Sequence, residues 1–233
     1  MPKIFDLHCH PTLKPLLLRP QNRPTPWDAI KEPAVEALKN IYDSQCNCEQ
    51  LIDAGCNIAC VGLMSIETEM VDRTIVKLLA GPVKHIDRQQ VRHIAQVKEG
   101  ATYHDLFDQE VESILKTPNN PHDPSDRVKF ISSMAQYDEH DSHTLHLIAS
   151  LEGGHGLYSP QNQRQSANEV VANDSAILQR ITGLRRQHPV RLLYITLTHI
   201  GPNAIANHAF GIKGLRKIYF FPRETVFHRW EKK

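Results

Sequence analysis

Residues 147–155, Leu-Ile-Ala-Ser-Leu-Glu-Gly-Gly-His, carry the reading that decides the fold. Leu147 to Leu151 is a strand-length run without a charge, and it halts at Glu152, an acid that is costly to bury unless it is paired or coordinates a cation. Gly153 and Gly154 then let the backbone turn sharply and approach a ligand closely. The same form recurs twice. Ile4-Phe5-Asp6-Leu7 leads into His8-Cys9-His10, and Tyr194-Ile195-Thr196-Leu197-Thr198 leads into His199. Three strands that each stop at a metal-type or carbonyl-polarising side chain predict strand ends converging on one rim, as in a (β/α) barrel.

Outward from these three stretches, strand and helix signals alternate. A helix over 47–54 stops at Gly55, a natural left-handed cap residue, and Cys56 to Met64 is a continuous apolar run suited to a strand covered on both faces. Helical spacing marks 66–79 and a shorter segment at 36–42, while the recurrent prolines between Pro11 and Pro33 predict an irregular loop. Residues 88–116 are mostly polar and read as surface helices, and 117–127 is turn chemistry throughout. Val128 to Ser132 is a short strand candidate, and Thr144 to Leu151 a stronger one. Ser166-Ala-Asn-Glu169 is a capping box that opens a helix with Val170, Ile177, Ile181 and Leu184 on its apolar stripe.

Strand, helix, strand in this order gives the α/β class and a (β/α)8, TIM-barrel type of architecture. Four or five strands are in hand by His199, and only 34 residues follow it in a chain of 233. A closed eight-stranded barrel takes about 250 residues. The expectation is therefore one domain over 1–233 that holds only the N-terminal half of the barrel, an incomplete metal-dependent hydrolase barrel.

The totals narrow the function. Net charge is +1, from 27 basic against 26 acidic residues, so no global field favours nucleic acid or a membrane surface. Arg185, Arg186 and Arg191 read as a solvated helix end. The apolar runs are strand-sized, short of the roughly 20 residues of a membrane span. No charged-then-apolar leader precedes Ile4, which places the expected protein in the cytoplasm. Five cysteines are an odd count that argues against a disulfide framework. Cys46, Cys48, Cys56 and Cys60 straddle a helix, a glycine and a strand interior, a spacing that scatters thiols rather than gathering them on a metal.

His8 and His10 flank one residue, so an extended strand sets both imidazoles on one face, where they can share a metal ion. Glu152 is the candidate carboxylate ligand, able to bridge two ions. His199, at a strand end before Gly201-Pro202, could bind metal but better suits donation of a hydrogen bond to an oxygen that turns negative during hydrolysis. The bland readings are an incidental His-x-His among 14 histidines, a strand-end salt bridge and a structural histidine. His140, His143 and His146 are spaced by three but straddle a turn and a strand start, which disfavours a shared ion. His155 lies close to Glu152 without a role that its position dictates.

Leu151-Glu-Gly-Gly-His-Gly-Leu157 resembles the Glu-Gly-Gly-His signature of the membrane (renal) dipeptidase family, an amidohydrolase-type group of metallopeptidases. Tyr194-Ile-Thr-Leu-Thr-His199 resembles that family's Tyr-Leu-Thr-Leu-Thr-His strand. The resemblance implies a metallodipeptidase with a two-zinc centre. His8 and His10 would then be first-strand ligands, Glu152 the bridging carboxylate and His199 the catalytic contact to the scissile carbonyl. It implies a metal-activated hydroxide attacking the amide carbon of a dipeptide substrate. Two departures stand out: family members carry His-x-Asp where this chain has His8-Cys9-His10, and their later ligands fall beyond the matching stretch. Reduced or absent activity of this chain alone follows from the second. A metal-dependent phosphoesterase of the PHP type is the rival enzyme, although its Ser-Asp-Gly is replaced by Thr12-Leu13-Lys14. A catalytically dead half-barrel that serves as a binding or assembly module, with a partner chain supplying the missing strands, is the non-enzymatic alternative, and a homo-oligomer is a further expectation.

Overall fold

The computed structural model describes residues 3–12, 25–29, 46–64, 103–116, 127–157, 174–186 and 190–199. Within them the chain forms β1 (Ile4–Cys9), α1 (Cys48–Asp53), β2 (Cys56–Met64), α2 (Tyr103–Lys116), β3 (Val128–Phe130), β4 (Leu145–Glu152), α3 (Asp174–Arg186) and β5 (Leu192–Thr196). Every strand pairing is parallel. The sheet runs β1-β2-β4-β3, with β5 also on β4. Since β2 occupies one edge of β4, β3 and β5 divide the other. β3 pairs with Leu145 to Leu147, and β5 with the far half, from Ala149 to Glu152. The result is an open, curled parallel sheet flanked by helices, a half-barrel, as the order of sequence signals predicts.

Alternation along the two central strands sorts their side chains into two layers. Ala59, Val61 and Leu63 of β2, with Leu145, Leu147, Ala149 and Leu151 of β4, face the helices and pack in the main core with Phe107, Val111, Ile114, Cys48 and Leu51. Ile58 and Cys60 join Ile148 and Ile131 on the other, inner face, against Tyr137 and Tyr194. All nine residues of β2 are buried, which is why its sequence reads, apart from Asn57, as an apolar run rather than an alternating one. Cutting Leu63 or Leu147 back to alanine would cost about 2–5 kcal/mol.

Local chemistry fixes the ends. The Asn47 side chain accepts from Gln50 N at 2.7 Å and caps α1, a contact worth about 1 kcal/mol. Gly55, with φ of 75°, makes the left-handed turn into β2.

One expectation needs correction. The polar stretch 88–116 was expected to give surface helices, yet α2 buries Tyr103, Leu106, Phe107, Glu110, Val111 and Ile114. Those positions form an i, i+3, i+4, i+7, i+8, i+11 stripe, narrow enough to be hidden by the polar residues between them. The helices expected over 36–42 and 66–79, most of the proline-rich loop and the capping box at 166–169 lie outside the described residues. No helix among the described residues is long and apolar enough to cross a membrane.

Candidate metal centre

In a parallel sheet all strands end on one side, so the C-terminal residues of β1, β4 and β5 meet on one rim. Cys9 points to the helix-side core, which turns its neighbours His8 and His10 inward. Met64 of β2 is the register partner of Glu152, which is in turn opposite Thr196. Gly62, two residues back on the inner face of β2, lies directly beneath the histidines. A Cβ there would stand 2.6 Å from His10 Cε1 and 3.1 Å from His8 Cε1, so only glycine leaves room for both rings.

Three ligand atoms converge as a result. His10 Nε2 is 2.9 Å and His8 Nε2 3.3 Å from Glu152 Oε2, and the two Nε2 atoms are 3.0 Å apart. The outer nitrogens settle what these inner atoms are. His10 Nδ1 lies 2.8 Å from the Gly62 carbonyl, which can only accept, so Nδ1 carries the proton. The Tyr194 hydroxyl gives its single proton to the Leu7 carbonyl at 2.8 Å, so His8 Nδ1, 2.9 Å away, donates to the phenol oxygen. In their neutral form both rings would therefore present a bare Nε2 lone pair to each other and to a carboxylate oxygen. Three acceptors so close repel unless a cation, either a proton or a metal ion, sits among them.

The spacing suits a metal. Ligands about 2.0–2.1 Å from zinc lie about 2.9 Å apart at right angles and about 3.4 Å apart in a tetrahedron, and the observed 2.9–3.3 Å falls between. The cluster is the group of three metal-type ligands found among the described residues. It could hold one ion; the described residues do not supply the second set of ligands that a two-zinc centre requires.

Electrostatics follow the geometry. Burial works against a charged His10, but the hydrogen bond and charge of Glu152 overcome it and raise its pKa. Burial likewise opposes ionised Glu152, while the hydrogen bond from His10 and the charges of His199, His10 and His8 hold its pKa below the ordinary value. His199, partly exposed after β5, is thus close enough for its charge to reach Glu152. The carboxyl of Glu110 lies deeper. It is 1% exposed, and burial pushes its pKa up to about 8 against the hydrogen bond from Met64, the charge of His10 and the bond from Thr12.

The other candidates go elsewhere. His146 is fully buried near the start of β4, with Nδ1 3.3 Å from the Asn57 carbonyl and its ring edge-on to Tyr137. His140 and His143 are exposed on the turn before it, their backbone N–H groups bonded to Asp138 and Asp141. His155 is buried, stacked edge-on against Tyr103 and packed over Gly153, whose φ of 93° and lack of Cβ admit the ring. Cys48 is buried in α1 and Cys56 and Cys60 in β2, where the Cys56 thiol bonds to the Ile58 carbonyl at 3.1 Å. Sequence reasoning missed three contributors: Gly62, Tyr194 as the partner of His8, and Glu110. A glycine inside an apolar strand and an acid on a helix's apolar stripe were the available signals for two of them.

Comparison with known proteins corrects the family expectation. No family model, no curated protein and no solved structure matches this chain. The dipeptidase motifs are therefore short local likenesses. Glu-Gly-Gly-His meets a local demand here, an acid at a strand end followed by a positive-φ turn with room for an imidazole, and that demand can be met without common descent.

Proposed function

We propose that this chain binds one divalent metal ion through His8, His10 and Glu152 and uses it in a hydrolytic reaction on a carbonyl or phosphoryl substrate. The observation that carries the reading is the convergence of His8 Nε2, His10 Nε2 and Glu152 Oε2 within 3.3 Å of one another, each ring held from outside by a hydrogen bond to Tyr194 or Gly62. A bound ion of this kind supplies Lewis-acid polarisation and lowers the pKa of water. Three protein ligands leave a further coordination position, the mark of catalytic rather than structural sites. Around it the chain's own residues have separate tasks. Gly62 and Tyr194 aim the two imidazoles, and Glu152 balances the charge. His199, on the same rim, is the proposed hydrogen-bond donor to the substrate oxygen that becomes negative. The whole of 1–233 is proposed as one domain built around this rim.

The test is metal titration of the purified chain and of Glu152→Gln, with Zn²⁺, Mn²⁺ and Co²⁺, followed by assay of the loaded protein on dipeptides and phosphomonoesters. Wild type is expected to take up one ion per chain, and Glu152→Gln to bind more than about 100-fold more weakly. Equal binding by both proteins would assign the cluster to a proton-bridged ion pair. Turnover of one substrate class and not the other selects between amide and phosphoester chemistry. One ion bound with neither turned over would leave a binding module.

A further inference from the structure

Glu110 is the one acid that α2 inserts between the helix and the sheet, on the stripe otherwise made of Tyr103, Leu106, Phe107, Val111 and Ile114. A carboxyl group at 1% exposure is expensive unless its oxygens are satisfied, and both are. Oε1 accepts from the Thr12 hydroxyl at 3.1 Å, and Oε2 accepts from the backbone N–H of Met64. These two partners are not arbitrary. Thr12 is two residues past His10, in the turn that ends β1. Met64 is two residues past Gly62, whose carbonyl holds His10 Nδ1, and is the register partner of Glu152.

We propose that Glu110 is a positioning residue for the metal centre: its carboxyl staples the turn after β1 to the end of β2 and so holds His10 on the Gly62 carbonyl. An apolar side chain of the same size would fill the volume but leave the Met64 N–H buried without its acceptor and the Thr12 turn untied. The staple does not depend on a full negative charge. Burial favours the protonated form of Glu110 near neutral pH, and a neutral carboxyl still offers an acceptor to Met64. Glutamine, which keeps an acceptor and the shape, should therefore replace it, whereas alanine should not. This inference rests on the reading of His8, His10 and Glu152 as a metal site for its functional meaning, but the staple itself is measurable without metal.

The experiment is an imidazole ¹H–¹⁵N correlation spectrum of metal-free, full-length protein, with Co²⁺ affinity measured on the same samples. The proteins are wild type, Glu110→Ala, Glu110→Gln and Thr12→Val. Above the raised pKa of His10, wild type is expected to show His10 with its Nδ1–H in place on the Gly62 carbonyl. In Glu110→Ala that signature is lost and Co²⁺ binds about tenfold more weakly. Glu110→Gln is expected to restore both, and Thr12→Val, the milder change should the alanine variant not fold, to shift His10 in the same direction by less. His143 should be unmoved throughout. His10 signals unchanged in Glu110→Ala, or in Thr12→Val if that alone folds, would overturn the staple, as would a glutamine variant as disturbed as alanine. Loss of the His10 signature in a protein that takes up no Co²⁺ would sustain the staple and sink the metal reading instead.

Discussion

Two groups of histidines sit at opposite ends of the same sheet, and only one of them gathers into a candidate metal site. His8 and His10 are spaced by two along the end of a strand, with ring centroids 4.7 Å apart. His140, His143 and His146 are spaced by three and end up on an exposed turn and inside a core. The difference is not in residue type, since acids flank both. Asp138 and Asp141 spend their oxygens on nearby backbone N–H groups, which is local turn chemistry, while Glu152 comes from a distant strand with its Oε2 aimed at both rings. Convergence at the C-terminal rim of a parallel sheet, rather than histidine density, makes the candidate centre.

The sharpest way to break this contrast is to remove one ring from each end. His10→Ala is expected to weaken metal binding by more than about 100-fold, whereas His143→Ala should leave it unchanged; calorimetric titration of both decides. Acid should act on the rim in a graded manner. A metal ion needs His10 deprotonated, and the pKa of His10 is raised, so affinity should fall by about tenfold per pH unit once the pH drops below that raised value. In the metal-free protein the sign is different for each partner. The stability His10 contributes is full below its unfolded pKa and fades as pH rises through its raised folded value. That from Glu152 is full above its unfolded pKa and fades as pH falls through its depressed one. Metal-free protein should therefore gain most from the pair in mildly acidic solution, where metal binding is weakest, and thermal melts with and without Zn²⁺ across pH 5–8 would show the crossing. The smallest effect is expected from Tyr194→Phe, which removes the acceptor for His8 Nδ1 together with the donor to the Leu7 carbonyl and should cost about tenfold in affinity. No change there would mean that His8 holds its tautomer without help.

Much of the frame was legible before any coordinates, because strand length and helix caps are local properties. The apolar run of β2, the Asn47 cap and Gly55, and the halt of β4 at Glu152 each write their conformation into a few adjacent residues. The same holds for His8, His10 and Glu152, whose chemistry is displayed at strand ends. What stayed hidden depends on register. Nothing in the β2 run says that Gly62 will lie under two imidazoles, since that follows from Cys9 pairing with Val61 across a bulge in β1. Glu110 was invisible for a related reason: in a polar segment an acid looks solvated until the helix is known to turn it inward. The family likeness misled because nine or ten residues can satisfy a strand-end requirement without carrying a whole protein's ancestry.

The shared edge of β4 bears on how the molecule assembles. With β2 on one side and β3 and β5 dividing the other, β4 is the strand on which both flanks of the open sheet meet, and Tyr194 reaches His8 across 186 residues of chain. Long loops must close before those contacts return any energy, so the rim is completed late in folding. An ion captured there would hardly hasten refolding; it would act as a latch, prolonging the lifetime of the native state once formed.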